Sequence, residues 1–475
     1  MKTFKFIIFI WSGLFISCTD FIEVNPPNDQ LLTPIVFASD QTATAALLGL
    51  YIRMVDNNIP YDIPMASGLL SDELDSYANQ SPLLDLYVNN SRPLDAYTNS
   101  FWNAAYFYTY QANSVIEGCS NSKELDPTLK LQLLGEAHFM RAFWLYYLTN
   151  FFGDIPLTLT TNYKTNQNLS RSPVEEVYSQ ITDDLMYAIE NLNSQYVDNT
   201  SKSITNERIR PNKAAAIAML ARVKLSMKNW NEAERFAGMV IENSQLYEIV
   251  DLNDIFLKDS REAIWQLMEP TPRAVDFSTR EGNGFILISR PSIGGQLRNS
   301  SISQWLLNAF SSEDLRGRSW IGEYIDETVE PNQSFYYPNK YKINKTTTEI
   351  TEQSTVLRLA EQYLIRAEAR IQTGDFEGGR EDLNVIRKRA GLSPIVLDAK
   401  EELLNAVLDE RQIELFAEWG HRWIDIRRMG YAEEVMSDVI PVKGGEGWDR
   451  TKELMPIPQT EIDRNNNLIQ NPGYN

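Results

Sequence analysis

The segment LARVKLSMKNWNEAERFAGMVIE, residues 220–242, indicates the fold of the chain, because its pattern recurs as IRAEARIQTGDFEGGREDLNVIR, residues 365–387. Small or apolar side chains occupy matching positions of both copies at a constant offset of 146 residues. The matched positions are Ala221, Trp230, Ala233, Ala237 and Val240 in the first copy and Ala367, Phe376, Gly379, Leu383 and Ile386 in the second. This spacing around a short turn is typical of the tetratricopeptide helix pair. The aromatic after each turn is interpreted as a core side chain, not a binding residue.

Further helical pairs are predicted around the two repeats. Helical periodicity covers residues 101–152, 174–243 and 357–390. Leu403–Trp419 is predicted as another amphipathic helix, closed by Gly420. Such pairs stack so that each buries the apolar surface that its neighbour leaves exposed. The predicted fold is mainly α, with tetratricopeptide-like helix-turn-helix pairs forming a right-handed superhelical scaffold and an irregular, loop-rich ligand-binding side.

The most apolar segment, Phe139–Leu148, contains one charged residue, Arg141. A helix that is apolar all round is buried on all sides, so we expect this helix at the centre of the core. A buried guanidinium needs a carboxylate, and Glu136 or a more distant acid would serve.

Two regions interrupt the helical pattern. Residues 57–100 contain four prolines, Pro60, Pro64, Pro82 and Pro93, and residues 269–350 are rich in glycine. Both regions carry several aromatic residues. Loops of this composition cannot bury all of their aromatic side chains, so some are expected to face a ligand.

The amino-terminal sequence is typical of an export signal. Lys2 and Lys5 precede the apolar run Phe6–Ile16, which is too short to span a bilayer, and Ser17 precedes Cys18. A cysteine in this place resembles the bacterial lipoprotein box, although Phe15 stands where Leu is usual. Residues 1–17 are therefore predicted as a signal peptide, 18–40 as a tether lipidated at Cys18, and 41–475 as a single domain. The alternative is a signal peptide cut elsewhere, with Cys18 a plain thiol.

Composition argues against several functions. The chain has 64 acidic and 44 basic residues and a net charge of −20, so no nucleic-acid partner is expected. Only His138 and His421 are present, which disfavours zinc sites and histidine-dependent hydrolases. No phosphate-binding or dinucleotide-binding glycine motif occurs, and no cofactor is predicted. Surface calcium is possible in view of the many carboxylates, but no EF-hand-like spacing assigns a site.

Four stretches of the chain resemble one family. They are residues 18–26, the segment GEAHFMRAFWLYYLTNFFGDIPL at 135–157, LRLAEQYLIRAEA at 357–369, and the carboxyl-terminal 410–430 with 454–475. In this order they are similar to the SusD/RagB nutrient-binding lipoproteins of the Bacteroidetes outer membrane. The resemblance implies a helical fold with a loop-rich ligand side, attachment to the outer membrane at the cell surface, and binding without catalysis. It also implies a partner, a SusC-like TonB-dependent transporter.

The charged residues of the segment 410–430 are interpreted as structural. They are expected to form ion pairs, several of them at helical spacing, that orient a helix end. These residues are Glu410, Arg411, Glu414, Glu418, Arg422, Asp425 and Arg427.

Nine residues of the irregular regions are predicted to bind ligand. Tyr77, Tyr87, Trp320 and Tyr324 are the candidate aromatic platforms for the apolar face of a sugar. Side chains that can hydrogen-bond to sugar hydroxyls flank them, namely Asp75, Asn89, Asn90, Arg92 and Asn283. The alternative for each aromatic is packing in the core or within a loop.

Three classes of function remain open. The favoured one is a surface receptor that captures a glycan or oligosaccharide, or a non-glycan nutrient such as peptides, and delivers it to the transporter. The second is an extracellular glycoside hydrolase that uses two carboxylates. The third is a helical-repeat scaffold that binds only proteins.

Overall fold

The computed structural model describes residues 33–80, 82–269, 279–295, 297–345 and 349–474. The predicted signal peptide, Cys18 and most of the predicted tether lie outside these residues. The helices are α1 (Thr33–Val36), α2 (Asp40–Asp56), α3 (Ile59–Leu70), α4 (Leu83–Tyr87), α5 (Ala96–Asn121), α6 (Pro127–Phe152), α7 (Tyr163–Asn166), α8 (Val174–Asn191), α9 (Lys213–Ser226), α10 (Trp230–Ile241), α11 (Arg280–Phe285), α12 (Gln304–Ala309), α13 (Leu315–Trp320), α14 (Leu359–Thr373), α15 (Phe376–Arg389), α16 (Lys400–Leu415), α17 (His421–Arg428), α18 (Ala432–Val442) and α19 (Gln459–Arg464), with a short 3-10 helix at Arg450–Glu453. The chain is therefore mainly helical, as predicted.

The long helices pack in sequence, each against the next. α5 packs against α6, α6 against α8, α8 against α9, α9 against α10, and α10 against α14, which also contacts α15 and α16. The predicted pair over 101–152 corresponds to α5 and α6. The segments 174–243 and 357–390 contain α8 to α10 and α14 to α15.

The two sequence repeats adopt the same turn. Lys228 ends the first helix of one repeat and Gly374 that of the other, and both have left-handed backbones with φ of 57° and 100°. The small residues allow the two helices of a pair to approach closely. A Cβ on Gly379 would lie 2.5 Å from Ile371 Cγ1, so the α14–α15 contact leaves no room for a side chain there. Trp230 and Phe376 are partly buried against the core.

α6 is the buried central helix, and a distant carboxylate neutralises Arg141. The Arg141 guanidinium donates to Asp184 of α8 through Nε (2.8 Å) and Nη2 (2.6 Å), and to Asn113 Oδ1 of α5 (2.9 Å). Glu136, the nearer candidate, instead accepts hydrogen bonds from Arg210 and from the Tyr51 hydroxyl. The three helices α5, α6 and α8 are thus joined at one buried charge.

Two predicted boundaries are wrong. Residues 59–70 were expected in a loop but form α3, in which every residue except Asp62 is buried. Pro60 lies in the first turn of the helix, where no intrahelical hydrogen bond needs its missing N–H. Pro64 lies inside the helix and removes one backbone hydrogen bond, but the burial of this apolar segment outweighs that loss. The helix predicted to end at Trp419 ends at Leu415, because the backbone turns through left-handed Ala417 and Trp419.

Eight short strands form four antiparallel pairs. They are β1 (Leu74–Ser76) with β5 (Ser300–Ile302), β2 (Tyr196–Val197) with β3 (Ile204–Thr205), β4 (Ala263–Leu267) with β8 (Ser354–Arg358), and β6 (Ile321–Asp326) with β7 (Gln333–Pro338). The β4–β8 pair closes the long irregular segment between them, since Leu267 pairs with Ser354. A second apolar core, which includes Tyr61, Phe256 and Trp320, fills the loop-rich half.

Buried ion pairs join the helical and loop-rich halves. Glu414 accepts from Arg316 (2.9 Å), Arg358 (2.5 Å) and Arg389, and these three arginines hold its pKa well below the usual value although burial alone would raise it. Arg422 donates two hydrogen bonds, of 2.8 and 2.7 Å, to Asp72. These pairs are long-range, so the prediction of pairing at helical spacing is wrong for both residues. Breaking such a pair would leave a buried charge uncompensated, so these residues stabilise the packing of the two halves, in agreement with their interpretation as structural.

Candidate functional site: an aromatic cluster on the loop-rich face

Strand pairing between β1 and β5 positions two predicted residues. Asp75 pairs with Ser301, and the Tyr77 amide donates to the Asn299 carbonyl at 2.9 Å. Alternate residues of a strand point to the same side, so the Asp75 and Tyr77 side chains share a face. The Tyr77 hydroxyl lies 3.1 Å from Ser301 Oγ, and burial raises the pKa of Tyr77. Both side chains are half-buried and reach the surface.

Tyr87 completes this arrangement from the end of α4. Its hydroxyl donates to Asp75 Oδ1 at 2.9 Å, and its ring lies 4.8 Å from Nζ of Lys443. Burial raises the pKa of Asp75, and burial together with the Asp75 carboxylate raises the pKa of Tyr87, so the phenol stays protonated as the donor. Lys443 is buried and donates to the Leu69 carbonyl at 2.6 Å. Burial lowers its pKa to about 7.

The β6–β7 hairpin supplies the other side of the cluster. The Phe335 ring lies edge-on to Tyr77, with centroids 5.4 Å apart. Tyr324 pairs with Phe335 across the hairpin, and directly opposed residues place their side chains on one face. The Arg290 guanidinium lies 5.9 Å from the Phe335 ring centroid. We name Asp75, Tyr77, Tyr87, Ser301 and Phe335 the loop-face cluster.

The remaining predicted residues lie outside the loop-face cluster, some at the surface and some in the interior. Asn283 accepts a 2.8 Å hydrogen bond from Arg298, which is three residues before Ser301 in the chain. Asn90 is exposed, as is Arg92, which pairs with Asp85 at 2.7 Å and with Asp95 at 3.3 Å.

Trp320 and Asn89 are corrections to the prediction. Trp320 is fully buried in the second core, where its Nε1 donates to the Leu252 carbonyl at 3.1 Å, so it presents no face to a ligand. Asn89 is 3% exposed and has a left-handed backbone, and its Nδ2 donates to the Leu70 carbonyl at 3.1 Å. Its side chain therefore holds the α4 turn against the end of α3.

Four contributors to this face escaped prediction, namely Arg290, Ser301, Phe335 and Lys443. The first three lie in the glycine-rich region, where the sequence gives no strand register. Lys443 follows α18, more than 350 residues beyond Tyr87. No local signal could have identified it.

Two further properties bear on chemistry. Within the residues that the structure describes, no three or more histidine, cysteine or acidic side chains are grouped to hold a metal ion. Among the helices so described, none combines the length and the apolar character that a membrane-spanning segment requires.

The helical pairs and the irregular face beside them define a mainly helical, tetratricopeptide-like fold. Residues 20–225 match a family model described as starch-binding and associating with the outer membrane, and residues 301–474 match that of the SusD family. Together the two matches cover most of the chain. The protein belongs to the SusD/RagB family, a family of binding proteins associated with the outer membrane.

Individual relatives agree with this assignment. SusD-like protein P2 of Formosa agariphila is 28% identical over 79% of this chain and 80% of its own length. The starch-binding protein SusD of Bacteroides thetaiotaomicron is 36% identical over 25% of this chain and 21% of its own. The crystal structure of a SusD superfamily protein from Bacteroides vulgatus superposes with a TM-score of 0.77 at 22% identity, covering 92% of this chain and all of the other. That structure supports the fold.

Proposed function

We propose that the protein is a cell-surface lipoprotein that captures a glycan or oligosaccharide on its loop-rich face and delivers it to a SusC-like TonB-dependent transporter. The observation that carries the proposal is the loop-face cluster, in which two half-buried tyrosine rings stand beside a carboxylate. Sugars present apolar faces and a rim of hydroxyls, which suit aromatic rings and polar side chains respectively. Starch binding in the family description favours a saccharide over other nutrients.

Each member of the face has a role in the proposal. The exposed parts of Tyr77, Tyr87 and Tyr324 stack on sugar rings, and Asp75 accepts from hydroxyls while Tyr87 orients it. Asn90, Arg92 and Asn283 supply further hydrogen bonds at the rim. The site binds its ligand without changing it chemically.

Calorimetry tests the binding step. The purified full-length protein in detergent is titrated with maltoheptaose and with oligosaccharides of other backbones. Tyr77→Ala is expected to raise the Kd of the best ligand at least about tenfold, which corresponds to ~1.4 kcal/mol. Tyr87→Phe keeps the ring and removes the hydrogen bond to Asp75, so a smaller increase is expected.

Tyr163→Ala is the matched control, because Tyr163 is 71% exposed and lies on α7, outside the loop-face cluster. It should bind like the wild type. If no glycan binds but peptides do, the ligand class is wrong and the protein is a receptor of the same type for another nutrient. Release of new reducing ends from a bound glycan would contradict the non-catalytic role.

The anchor and the partner require separate tests. Cys18→Ala should shift the protein from the membrane to the soluble fraction and leave the affinity of the purified protein unchanged. Purification of the wild-type protein from outer membranes should recover a large β-barrel transporter in stoichiometric amount. Recovery of the protein alone under several mild detergents would contradict delivery through a stable complex.

A further inference from the structure

A cavity of about 500 Å³ lies at the carboxyl end of α6, away from the loop-face cluster. α8, α17, the 3-10 helix and the carboxyl-terminal tail complete its walls. Its lining includes three charged residues, Arg427, Arg450 and Glu453. The volume lies in the range of ~300–1,000 Å³ that is usual for small-ligand sites. No residue of the loop-face cluster lines it.

Arg427, in the wall of this cavity, forms no ion pair with any described carboxylate, although the charge of Glu453 in the same wall acts on it and raises its pKa against the larger effect of burial. Among the residues that the structure describes, no carboxylate oxygen lies within 4.0 Å of its guanidinium. Its Nη1 donates to the Asn150 carbonyl, one of the terminal carbonyls of α6, and its Nε is shielded from solvent without an acceptor. A guanidinium has five N–H donors, so most of those of Arg427 are unused within the described chain.

The neighbouring arginine shows the contrast. Arg428 donates to both oxygens of Glu368, at 2.6 and 2.7 Å, and pairs with Asp425 at 2.8 Å. These carboxylates raise the pKa of Arg428, whereas burial lowers the pKa of Arg427. Glu453 offsets the effect of burial on Arg427 only in part, so a further anion in the cavity would stabilise the charged guanidinium.

The charged side chains in the walls of the cavity sum to a positive charge. Glu453 pairs with Arg450 at 3.2 Å, so the two cations in the walls face a single carboxylate. Thr149 Oγ1 donates to the Gly153 carbonyl at 2.9 Å. The cavity is therefore positive by one charge in a chain whose net charge is −20.

We infer that this cavity binds an oxyanion, either the carboxylate or sulfate group of an acidic saccharide or the corresponding free ion. Arg427 supplies the counter-charge inside, and Arg450, whose side chain is 83% exposed, approaches the anion from the mouth. Planar and tetrahedral oxyanions match the guanidinium fork, which donates two parallel hydrogen bonds. The inference is independent of the loop-face cluster.

The test uses full-length protein in detergent at constant ionic strength, maintained with sodium chloride. Sodium sulfate, sodium phosphate, sodium glucuronate, a glucuronate-containing disaccharide and a sulfated disaccharide are titrated calorimetrically, with glucose as the neutral control. Hydrogen exchange locates the site. At least one anion should protect amides near 150–153 and 450–454, and glucose should not.

Two substitutions examine the assignment. Arg427→Lys keeps the charge but loses the fork, and an increase in Kd of about tenfold is expected. Arg450→Gln changes an exposed residue, so the fold should survive, and a smaller increase is expected. Arg464→Gln is the matched control, because Arg464 is also exposed and also pairs with a glutamate three residues away.

The outcomes separate the sources of the anion. Tighter binding of an acidic disaccharide than of the matching free ion assigns a saccharide ligand, and equal or weaker binding assigns the free ion. Glucose binding as tight as that of glucuronate would overturn the inference. So would the absence of protection by every anion, or equal anion affinities of the wild type and Arg450→Gln. None of these results depends on whether the loop-face cluster binds a glycan.

Discussion

Asp184 should be one of the most sensitive positions for stability, because it neutralises the charge at the centre of α6. Its side chain is 1% exposed and accepts three hydrogen bonds, two from Arg141 and one with His138 Nδ1 at 2.6 Å. Asp184→Ala would leave the Arg141 guanidinium with two neutral or weak partners, Asn113 Oδ1 at 2.9 Å and His138 Nδ1 at 3.5 Å, and without its carboxylate. Stranding a buried charge in this way costs about 3–5 kcal/mol.

The magnitude agrees with a Coulomb estimate. Two unit charges about 4 Å apart at an effective dielectric constant of about 20 attract by ~4 kcal/mol. The loss is a large fraction of the stability of a typical protein, ~5–15 kcal/mol. The hydrogen bonds from Arg141 and His138 also lower the pKa of Asp184 against the effect of burial. A lowered pKa stabilises the fold above the unfolded value, about 3.9, so the difference between wild type and variant should shrink as the pH falls below it.

Urea unfolding at pH 7, followed by far-ultraviolet circular dichroism, measures this loss from the transition midpoints. Asp183→Ala is the matched control, since Asp183 is the exposed neighbour on the same helix, and it should change stability by less than about 0.5 kcal/mol. The double variant Arg141→Met/Asp184→Leu should recover most of the loss, because it removes both charges. A loss below about 1 kcal/mol for Asp184→Ala, or an equal loss for Asp183→Ala, would refute the reasoning.

Three further predictions concern other parts of the molecule. Gly284→Ala would place a Cβ 2.2 Å from the buried Tyr61 ring and should destabilise the protein by at least about 1–3 kcal/mol in thermal unfolding. Gly294→Ala is the control, because no atom of the described residues outside its chain neighbours lies within 4 Å of the added Cβ, and equal melting temperatures of the two variants would contradict this. Burial raises the pKa of Glu281 to about 8, so the native state keeps a proton that the unfolded chain loses above about 4.5. The free energy of unfolding should therefore fall as the pH rises from 5 to 8, and Glu281→Gln should remove about 1.4 kcal/mol per pH unit of that slope. Burial also raises the pKa of the Cys119 thiol to about 12, so a thiol reagent at pH 8 should label Cys119 only in denaturant. Rapid labelling of Cys119 in the native protein would disprove its burial.

Local periodicity explains why the helical half could be predicted. The repeats at 220–242 and 365–387 set both helices and the turn between them within about 23 residues, and the apolar run of α6 marks it as buried wherever its neighbours lie. The partner of Arg141 could not be chosen, because Asp184 is 43 residues away and only the packing of α6 on α8 brings it close. α3 was missed for a related reason. The two prolines of this segment lower its local helix propensity, whereas in the folded protein the burial of its apolar side chains stabilises the helix.

The loop-rich face was predictable as a region but only partly as a set of residues. Tyr77 and Tyr87 are near each other in the chain, and both reach the surface as expected. Trp320 has the same sequence context but builds a second core, since composition alone does not separate an exposed aromatic from a buried one. Ser301 joins Tyr77 through strand pairing across 224 residues, a register that no local pattern encodes.

The pairing of Leu267 with Ser354 has a consequence for how this architecture diversifies. The segment between Leu267 and Ser354 begins and ends at one strand pair, and the cost of closing a loop rises only logarithmically with its length. A segment of different length and sequence could be transplanted between the same two strands while the helices stay as they are. Arg358 and Arg389 would stay in place, but they already share Glu262, Glu414 and Glu418. A graft without cations in place of Arg316 and Lys340 would therefore leave Glu414 and Glu418 with fewer counter-charges. Two cations placed like Arg316 and Lys340 would let an exchanged segment pack on the unchanged helices without depriving buried carboxylates of their counter-charges.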